Sequence, residues 1–135
     1  FVDEKDYRVT GVSMGNPHAV TFVDDTDSLD IKRIGPEFET HSIFPKKTNT
    51  EFAQIIDRNT IKMRVWERGT GETLACGTGA CATLVAANLS DLVDDEADII
   101  LLGGTLHIRW DKKENNIYMT GPARFVYEGT ITVNE

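Results

Sequence analysis

A thiol lies between a glycine-rich segment and a run of residues that predicts a helix. Cys76 follows residues 67–75 (ERGTGETLA) and precedes Gly77-Thr78-Gly79, after which small and apolar residues continue to Ala87. A cysteine at a helix N-terminus faces unpaired backbone N–H groups and the positive end of the helix dipole. Both favour the thiolate over the thiol, and the same N–H groups can bind a carboxylate or a phosphate. The pattern therefore predicts an activated base or nucleophile beside an anion-binding turn.

Two other interpretations of this segment are less favoured by its residues. Residues 77–82 (GTGACA) match the loose dinucleotide-binding pattern G-x-G-x-x-A, but that motif requires a buried strand directly before it, and residues 67–73 are polar and glycine-rich. The segment also lacks the lysine of a P-loop. Cys81 lies within the predicted helix among alanines, where a cysteine is usually a core residue.

The remaining polar candidates carry little information from residue type alone. His18 follows a turn and opens a strand, Asn16 and Asn49 suit turns, and Glu67-Arg68 is typical of a solvated strand end. The histidines and cysteines lack the spacing of a structural zinc site. The four lysines that occur in adjacent pairs suggest solvated positions rather than a pyridoxal phosphate site. We therefore expect neither a metal nor a cofactor.

Length and charge restrict the class of protein. The chain has 135 residues, the length of one domain, and a net charge of −8, which argues against a nucleic-acid backbone as partner. No apolar run approaches the roughly 18 residues of a membrane span, and no signal peptide is visible. Two cysteines five residues apart do not suggest a disulfide framework, so we expect a reducing, cytoplasmic location. Because the chain begins at Phe1, we expect a processed product or a fragment of a longer protein.

The hydrophobic pattern predicts many short strands and one dominant helix. Residues 60–66 alternate in a way that predicts a strand with one wet face, and the helix from Gly77 to about Asn88 is apolar on most sides, which predicts its burial. A shorter helix is predicted over residues 31–40. We expect an α+β fold in which a mixed, mostly antiparallel β-sheet curls around one central α-helix. Strands are predicted at residues 7–13, 18–23, 51–56, 60–66, 99–102, 105–110, 117–120, 125–127 and 130–133.

Several segments together resemble the diaminopimelate epimerase family. Residues 12–20 (VSMGNPHAV) are similar to its G-N-P-H segment, Asn49-Thr50-Glu51-Phe52 to its N-x-E-F strand start, and residues 66–82 to its second cysteine motif. Its C-terminal strands are matched by residues 103–106 (GGTL), 120–123 (TGPA) and 125–129 (FVYEG). The resemblance covers essentially the whole chain.

The resemblance implies that residues 1–135 are the C-terminal half of a two-domain enzyme. Each domain of such an enzyme wraps a sheet round a helix and supplies one catalytic cysteine, so the N-terminal domain, absent from this chain, would be its partner. The last strand of family members packs on that first domain, so residues after about Ala123 are expected to be less well placed. A homodimer that joins two Cys76 thiols is the other arrangement considered, and the chain alone is expected to be inactive.

The resemblance also implies an activity and a site. The family interconverts LL- and meso-2,6-diaminopimelate, in lysine and cell-wall precursor biosynthesis, without a cofactor and with two cysteines on opposite faces of the substrate. Cys76 would be one of these, with Glu67 and His18 tuning it. Substrate binding is implied for Glu67 and Arg68 and for Asn16, Asn49, Gly77 and Thr78.

Two alternatives are left open. A related isomerase of the same fold, such as a proline racemase, shares the cysteine, whereas the PhzF-like branch lacks it and is disfavoured by Cys76. Arg68, Asn16 and Asn49 favour a two-headed amino acid over proline. The second alternative is a half-domain that binds its ligand without turning it over.

Overall fold

Eight strands form one sheet around the second of two helices in the computed structural model of this chain, which describes residues 1–134. The helices are α1 (Ile31–Glu39) and α2 (Gly77–Leu89). The strands are β1 (Thr10–Ser13), β2 (Pro17–Phe22), β3 (Asn49–Asp57), β4 (Thr60–Glu67), β5 (Gly71–Thr73), β6 (Glu96–Leu101), β7 (Gly104–Asp111) and β8 (Asn116–Thr120).

The sheet is mixed and mostly antiparallel, as predicted. Its strand order is β1-β2-β3-β4-β6-β7-β8, and β5 pairs with β4 beside this path. The pairs β2–β3 and β4–β6 are parallel, and the others are antiparallel. Helix α2 contacts both β1 and β8, the two ends of the path. The sheet therefore curls around α2, and the predicted fold class is confirmed.

Helix α2 is buried because it has almost no polar face. Its alanines and Leu84 are inaccessible to solvent and pack in one cluster with the inward residues of the sheet, such as Met63, Ile99 and Ile108. Burial of so much apolar surface is the main stabilising contribution in a domain of this size. The cluster also contains Cys76 and Cys81. The N-terminus of α2 is therefore fixed relative to the sheet, which positions the residues around Cys76.

The second face of β4 is not the wet face that the alternation predicted. Helix α1 covers it, and Trp66 packs against a second apolar cluster that includes Ile31, Phe38 and Phe52. The indole lies directly over Gly35, where a Cβ atom would be 2.3 Å from an indole carbon. Lys62 and Arg64 on the same face are charged residues, which predict that this face is exposed to solvent. The Arg64 guanidinium is instead bound by Glu72 and two backbone carbonyls.

The two strands predicted after residue 121 do not form. Residues 121–134 have no regular secondary structure, and the side chains of Phe125, Tyr127 and Ile131 are at least 80% exposed. A strand is stable only when it is paired and covers an apolar surface, and among residues 1–134 this segment does neither. The sequence does not predict β5 either, because its three residues belong to a glycine-rich segment that is typical of a turn. Neither described helix is long and apolar enough to cross a membrane.

The contact between Gly35 and Trp66 gives a stability prediction. We expect Gly35→Ala to lower the free energy of unfolding by about 1–3 kcal/mol, because the new methyl group displaces the indole from a packed cluster. This loss exceeds the gain in helix propensity of up to about 1 kcal/mol. Urea denaturation measures the change.

The matched control is Gly11→Ala in β1, where a Cβ atom would meet nothing within 4 Å. We expect its effect to stay within about 0.5 kcal/mol. A Gly35→Ala variant as stable as the parent protein would contradict the described packing.

Candidate active site

Cys76 caps the N-terminus of α2. Its backbone is extended (φ −141°, ψ 107°), its carbonyl accepts the first helical hydrogen bond from the Ala80 N–H, and its Sγ accepts one from the Gly79 N–H at 3.3 Å. A side chain at this position satisfies an otherwise unpaired helix donor. The placement of the thiol at a helix start, predicted from the sequence, is confirmed.

The expected thiolate is not what this position produces. Burial of the side chain is the main cause that raises the pKa of Cys76 to about 11, and the neighbouring Glu67 carboxylate acts in the same direction. The Gly79 N–H and the Thr78 hydroxyl act in the opposite direction but are outweighed. The free-energy cost of burying the thiolate exceeds the stabilisation that one helix N-terminus provides. Cys76 is therefore a thiol at neutral pH, and burial raises the pKa of Cys81 as well.

His18 lies within reach of the thiol through one hydroxyl group. Its Nε2 is 3.1 Å from Thr78 Oγ1 and 3.1 Å from Asn16 Oδ1, and Thr78 Oγ1 is 3.7 Å from Cys76 Sγ. The Asn16 amide N–H also donates to Thr78 Oγ1 at 3.3 Å. Asn16 is held by the turn between β1 and β2, where Gly15 adopts φ +92°, a conformation that favours glycine. Four of the residues singled out from the sequence thus come together.

Asn49 is used to join strand ends. Its Nδ2–H donates to the Pro17 carbonyl at 2.8 Å, and its Oδ1 accepts from the Arg68 backbone N–H at 2.8 Å. The side chain is buried, and these two bonds tie the start of β2 to the end of β4. Asn49 therefore fixes the backbone of two neighbouring site segments.

Glu67 is the last residue of β4 and Arg68 follows it, but the two side chains have different surroundings. Glu67 is near enough to Cys76 to raise the pKa of its thiol. Arg68 is exposed and donates to the Lys46 carbonyl at 3.1 Å. It lines an open cleft together with Asn16, His18 and the loop from residue 43 to residue 48. The cleft therefore carries the exposed Arg68 cation and the partly exposed Asn16 amide, whereas the His18 ring behind them is buried.

Glu39 was missed by the sequence analysis. It accepts hydrogen bonds from the Trp66 indole N–H at 2.9 Å and the Gly69 N–H at 3.0 Å, and Lys47 lies 3.5 Å away. The bond from Trp66 is the main reason that the pKa of Glu39 is lowered. Glu39 thereby anchors the turn that carries Glu67 and Arg68. An acid in the last turn of a short helix gives no sequence signal for this role.

Glu51 was also missed, although its residue type offered a signal. It is fully buried on β3, in a run of five buried residues, and its Oε1 is 2.6 Å from His18 Nδ1. A fully buried carboxyl group is unusual unless it is paired. In the sequence, Glu51 stands out only as part of the N-x-E-F pattern.

The arrangement is suited to proton exchange on one face of a small molecule. It offers a thiol, a carboxylate beside it, backbone N–H groups at a helix start and a guanidinium at the rim of the cleft. Within residues 1–134, no three His, Cys, Asp or Glu side chains are grouped so that they could hold a metal ion.

Comparison with known sequences identifies one family. The family model described as "Diaminopimelate epimerase" matches residues 10–126. The chain is 55% identical to the diaminopimelate epimerase of Acetivibrio thermocellus over 99% of this chain and 48% of that protein. It is 58% identical to that of Methanococcus maripaludis over 94% of this chain and 46% of that protein. The chain therefore spans about half the length of the curated relatives it matches.

Comparison with solved structures supports the fold. A PhzF-family protein from Enterococcus faecalis superposes with a TM-score of 0.54 at 18% identity, over 78% of this chain and 40% of that one. A PhzF-family protein from Bacillus anthracis superposes with a TM-score of 0.54 at 22% identity, over 84% of this chain and 38% of that one. At these identities the likeness concerns the fold alone.

The raised thiol pKa gives a reactivity prediction. In a Cys81→Ala background, we expect the rate of Cys76 alkylation by iodoacetamide to rise about tenfold per pH unit through neutral pH and to level off only near the pKa of about 11. Glu67→Gln should lower this pKa and speed alkylation at any lower pH, because it removes a negative charge that opposes the thiolate.

Glu72→Gln on β5 is the matched control, since Glu72 pairs with Arg64 instead of the thiol. It should leave the pH profile unchanged. A rate that levels off at about pH 8, as for an ordinary thiol, would contradict the description of Cys76.

Proposed function

The chain belongs to the diaminopimelate epimerase family, and we propose that it forms the C-terminal half of an enzyme that interconverts LL- and meso-2,6-diaminopimelate. The observation that carries the proposal is the Cys76 thiol at the N-terminus of α2, with Glu67 beside it and Thr78, His18 and Asn16 connected to it by hydrogen bonds. The PhzF-like alternative lacks the cysteine, so the Cys76 thiol disfavours it. A proline racemase-like isomerase shares the cysteine and would differ in its substrate.

Inversion of a stereocentre by proton exchange needs one group on each face of the α-carbon. A thiolate on one face takes the α-proton, and the Cys76 S–H bond breaks as its proton is delivered to the carbanion from the other face. Cys76 becomes a thiolate in this step and takes a proton when the reaction runs in reverse. The raised pKa of Cys76 supports the donor role, because the free site then holds the thiol.

The residues around Cys76 would bind the amino acid group that reacts. The backbone N–H groups of Gly77 and Thr78 at the start of α2 suit the α-carboxylate, and Glu67 suits the α-ammonium. An ammonium beside Glu67 would also offset the charge that helps raise the thiol pKa. Substrate binding would thereby make the reverse step, proton removal by the Cys76 thiolate, easier.

The cleft beyond the thiol would bind the second amino acid group. Arg68 at its rim suits the distal carboxylate, and Asn16 on its wall suits polar atoms of the same end. Asn49 would contribute through the backbone segments that it joins. These contacts distinguish a two-headed substrate from proline, which has no distal carboxylate.

The second proton-transfer group would come from an N-terminal domain that this chain does not contain. The chain spans about half of its relatives, its residues 121–134 present apolar side chains to solvent, and β8 has an unpaired edge. These features support docking of a further domain, after which both faces of the substrate would be served. The chain alone would then bind its ligand weakly without turnover, and a homodimer is the competing assembly.

A chimeric protein tests the proposed function. The half of the Acetivibrio thermocellus relative that this chain matches is replaced by this chain. We expect the chimera to interconvert the diaminopimelate stereoisomers and to be inactive on proline. Cys76→Ala should lower kcat by at least about 10²-fold, the usual contribution of a proton-transfer group.

Cys81→Ala, which removes the other buried thiol of the same helix, is the matched control and should leave kcat nearly unchanged. A Cys76→Ala chimera that retains turnover would contradict the assignment. A folded chimera that acts on proline but not on diaminopimelate would favour the racemase-like alternative.

A further inference from the structure

Glu51 and His18 form a buried pair directly beneath the N-terminus of α2. Both side chains are fully shielded from solvent, and Glu51 Oε1 lies 2.6 Å from His18 Nδ1. Gly79 separates this pair from the thiol, since a Cβ atom there would be 2.7 Å from Glu51 Oε1 and 3.1 Å from Cys76 Sγ. The absence of a side chain at residue 79 therefore brings the pair close to Cys76.

The surroundings of Glu51 favour its protonated form. Its second oxygen, Oε2, is buried and has no hydrogen-bond partner among the described residues. An ionised carboxylate with an unpartnered oxygen in such a place is costly, whereas a neutral carboxyl group loses much less. Burial is the largest influence on the pKa of Glu51 and raises it, and the charge of Glu67 acts in the same direction. A carboxyl O–H at Oε1 would donate to Nδ1 of the imidazole.

The proton on Glu51 determines whether the other ring nitrogen of His18, Nε2, donates or accepts a hydrogen bond. When Nδ1 accepts a hydrogen bond, a neutral imidazole carries its proton on Nε2. Nε2 faces Asn16 Oδ1 and Thr78 Oγ1, each at 3.1 Å, and both can accept from an N–H group. Thr78 Oγ1 also faces the Asn16 amide N–H at 3.3 Å. With two donors directed at its oxygen, the Thr78 hydroxyl has its own hydrogen free for Cys76 Sγ.

We propose that Glu51 is a positioning residue that, as a neutral carboxyl group, fixes the Nε2–H tautomer of His18 and thereby directs the Thr78 O–H toward Cys76 Sγ. The inference rests on the proposed function only for its consequence in catalysis. A directed O–H group stabilises the thiolate that Cys76 becomes after it has given up its proton. The network would thus lower the cost of a charge that burial otherwise opposes.

Nitrogen-15 NMR of the imidazole rings tests the tautomer in this chain without any substrate. In a uniformly labelled sample, we expect His18 to show a protonated Nε2 and an unprotonated Nδ1 at neutral pH. His41→Gln and His107→Gln variants assign the other two rings. A His18 ring with a proton on Nδ1, whether alone or together with one on Nε2, would overturn the proposal.

Variants at residue 51 separate positioning from simple packing. Glu51→Gln supplies an amide N–H in place of the carboxyl O–H, so we expect the same His18 tautomer. Glu51→Leu supplies no donor, and we expect the unique tautomer to be lost. Glu96→Gln, which removes a carboxylate beside His107, is the control and should not affect His18. A tautomer that is the same in all three variants would show that Glu51 does not set it and would overturn the proposal.

The chimera described above provides the kinetic test. We expect Glu51→Gln to retain kcat within about threefold and Glu51→Leu to lower it about tenfold, which corresponds to about 1.4 kcal/mol, with a smaller change in KM. Equal losses in the two variants would overturn the proposal. A folded chimera that is inactive with Glu51 intact would count against the proposed function, whereas the NMR result would still decide the tautomer.

Discussion

The parallel pairing of β2 with β3 is the constraint on which the site depends. It sets His18 opposite Asn49 and leaves Glu51 two residues further along β3, within hydrogen-bond distance of the imidazole. Helix α2 then closes over this pair, because Gly79 has no side chain that would keep it away. The thiol, the hydroxyl of Thr78 and the imidazole are therefore held by the packing of one buried helix against two strands rather than by a loop.

Burial and the helix terminus act on Cys76 in opposite directions, and burial prevails. Helix N-termini lower thiol pKa values when the sulfur is at least partly solvated. Here the side chain lies in the main apolar cluster and next to a carboxylate, so the proton is retained. A retained proton suits the proposed role of Cys76, in which it delivers a proton to carbon. The same polar contacts that only partly offset burial in the free site are available to the thiolate once the proton has left.

The sequence predicts the parts of this molecule whose signals are local. The apolar helix from Gly77, the alternation along residues 105–110 and the cap position of Cys76 follow from spacing and residue type, and the structure confirms them. Contacts between distant segments give no such signal. The coverage of Trp66 by α1, the anchoring of Gly69 by Glu39 and the pairing of Glu51 with His18 each join residues at least 27 positions apart. The residues after 121 differ again, because their pattern is typical of strands but they pair with no strand among residues 1–134.

We propose that this chain supplies one of two proton-transfer groups. Deuterium incorporation at the α-carbon of diaminopimelate, followed by proton NMR in heavy water, measures proton transfer directly. We expect no exchange by the chain alone and exchange once the complementary half of a relative is added. Exchange by the chain alone that Cys76→Ala abolishes would contradict the proposal, because one domain would then suffice.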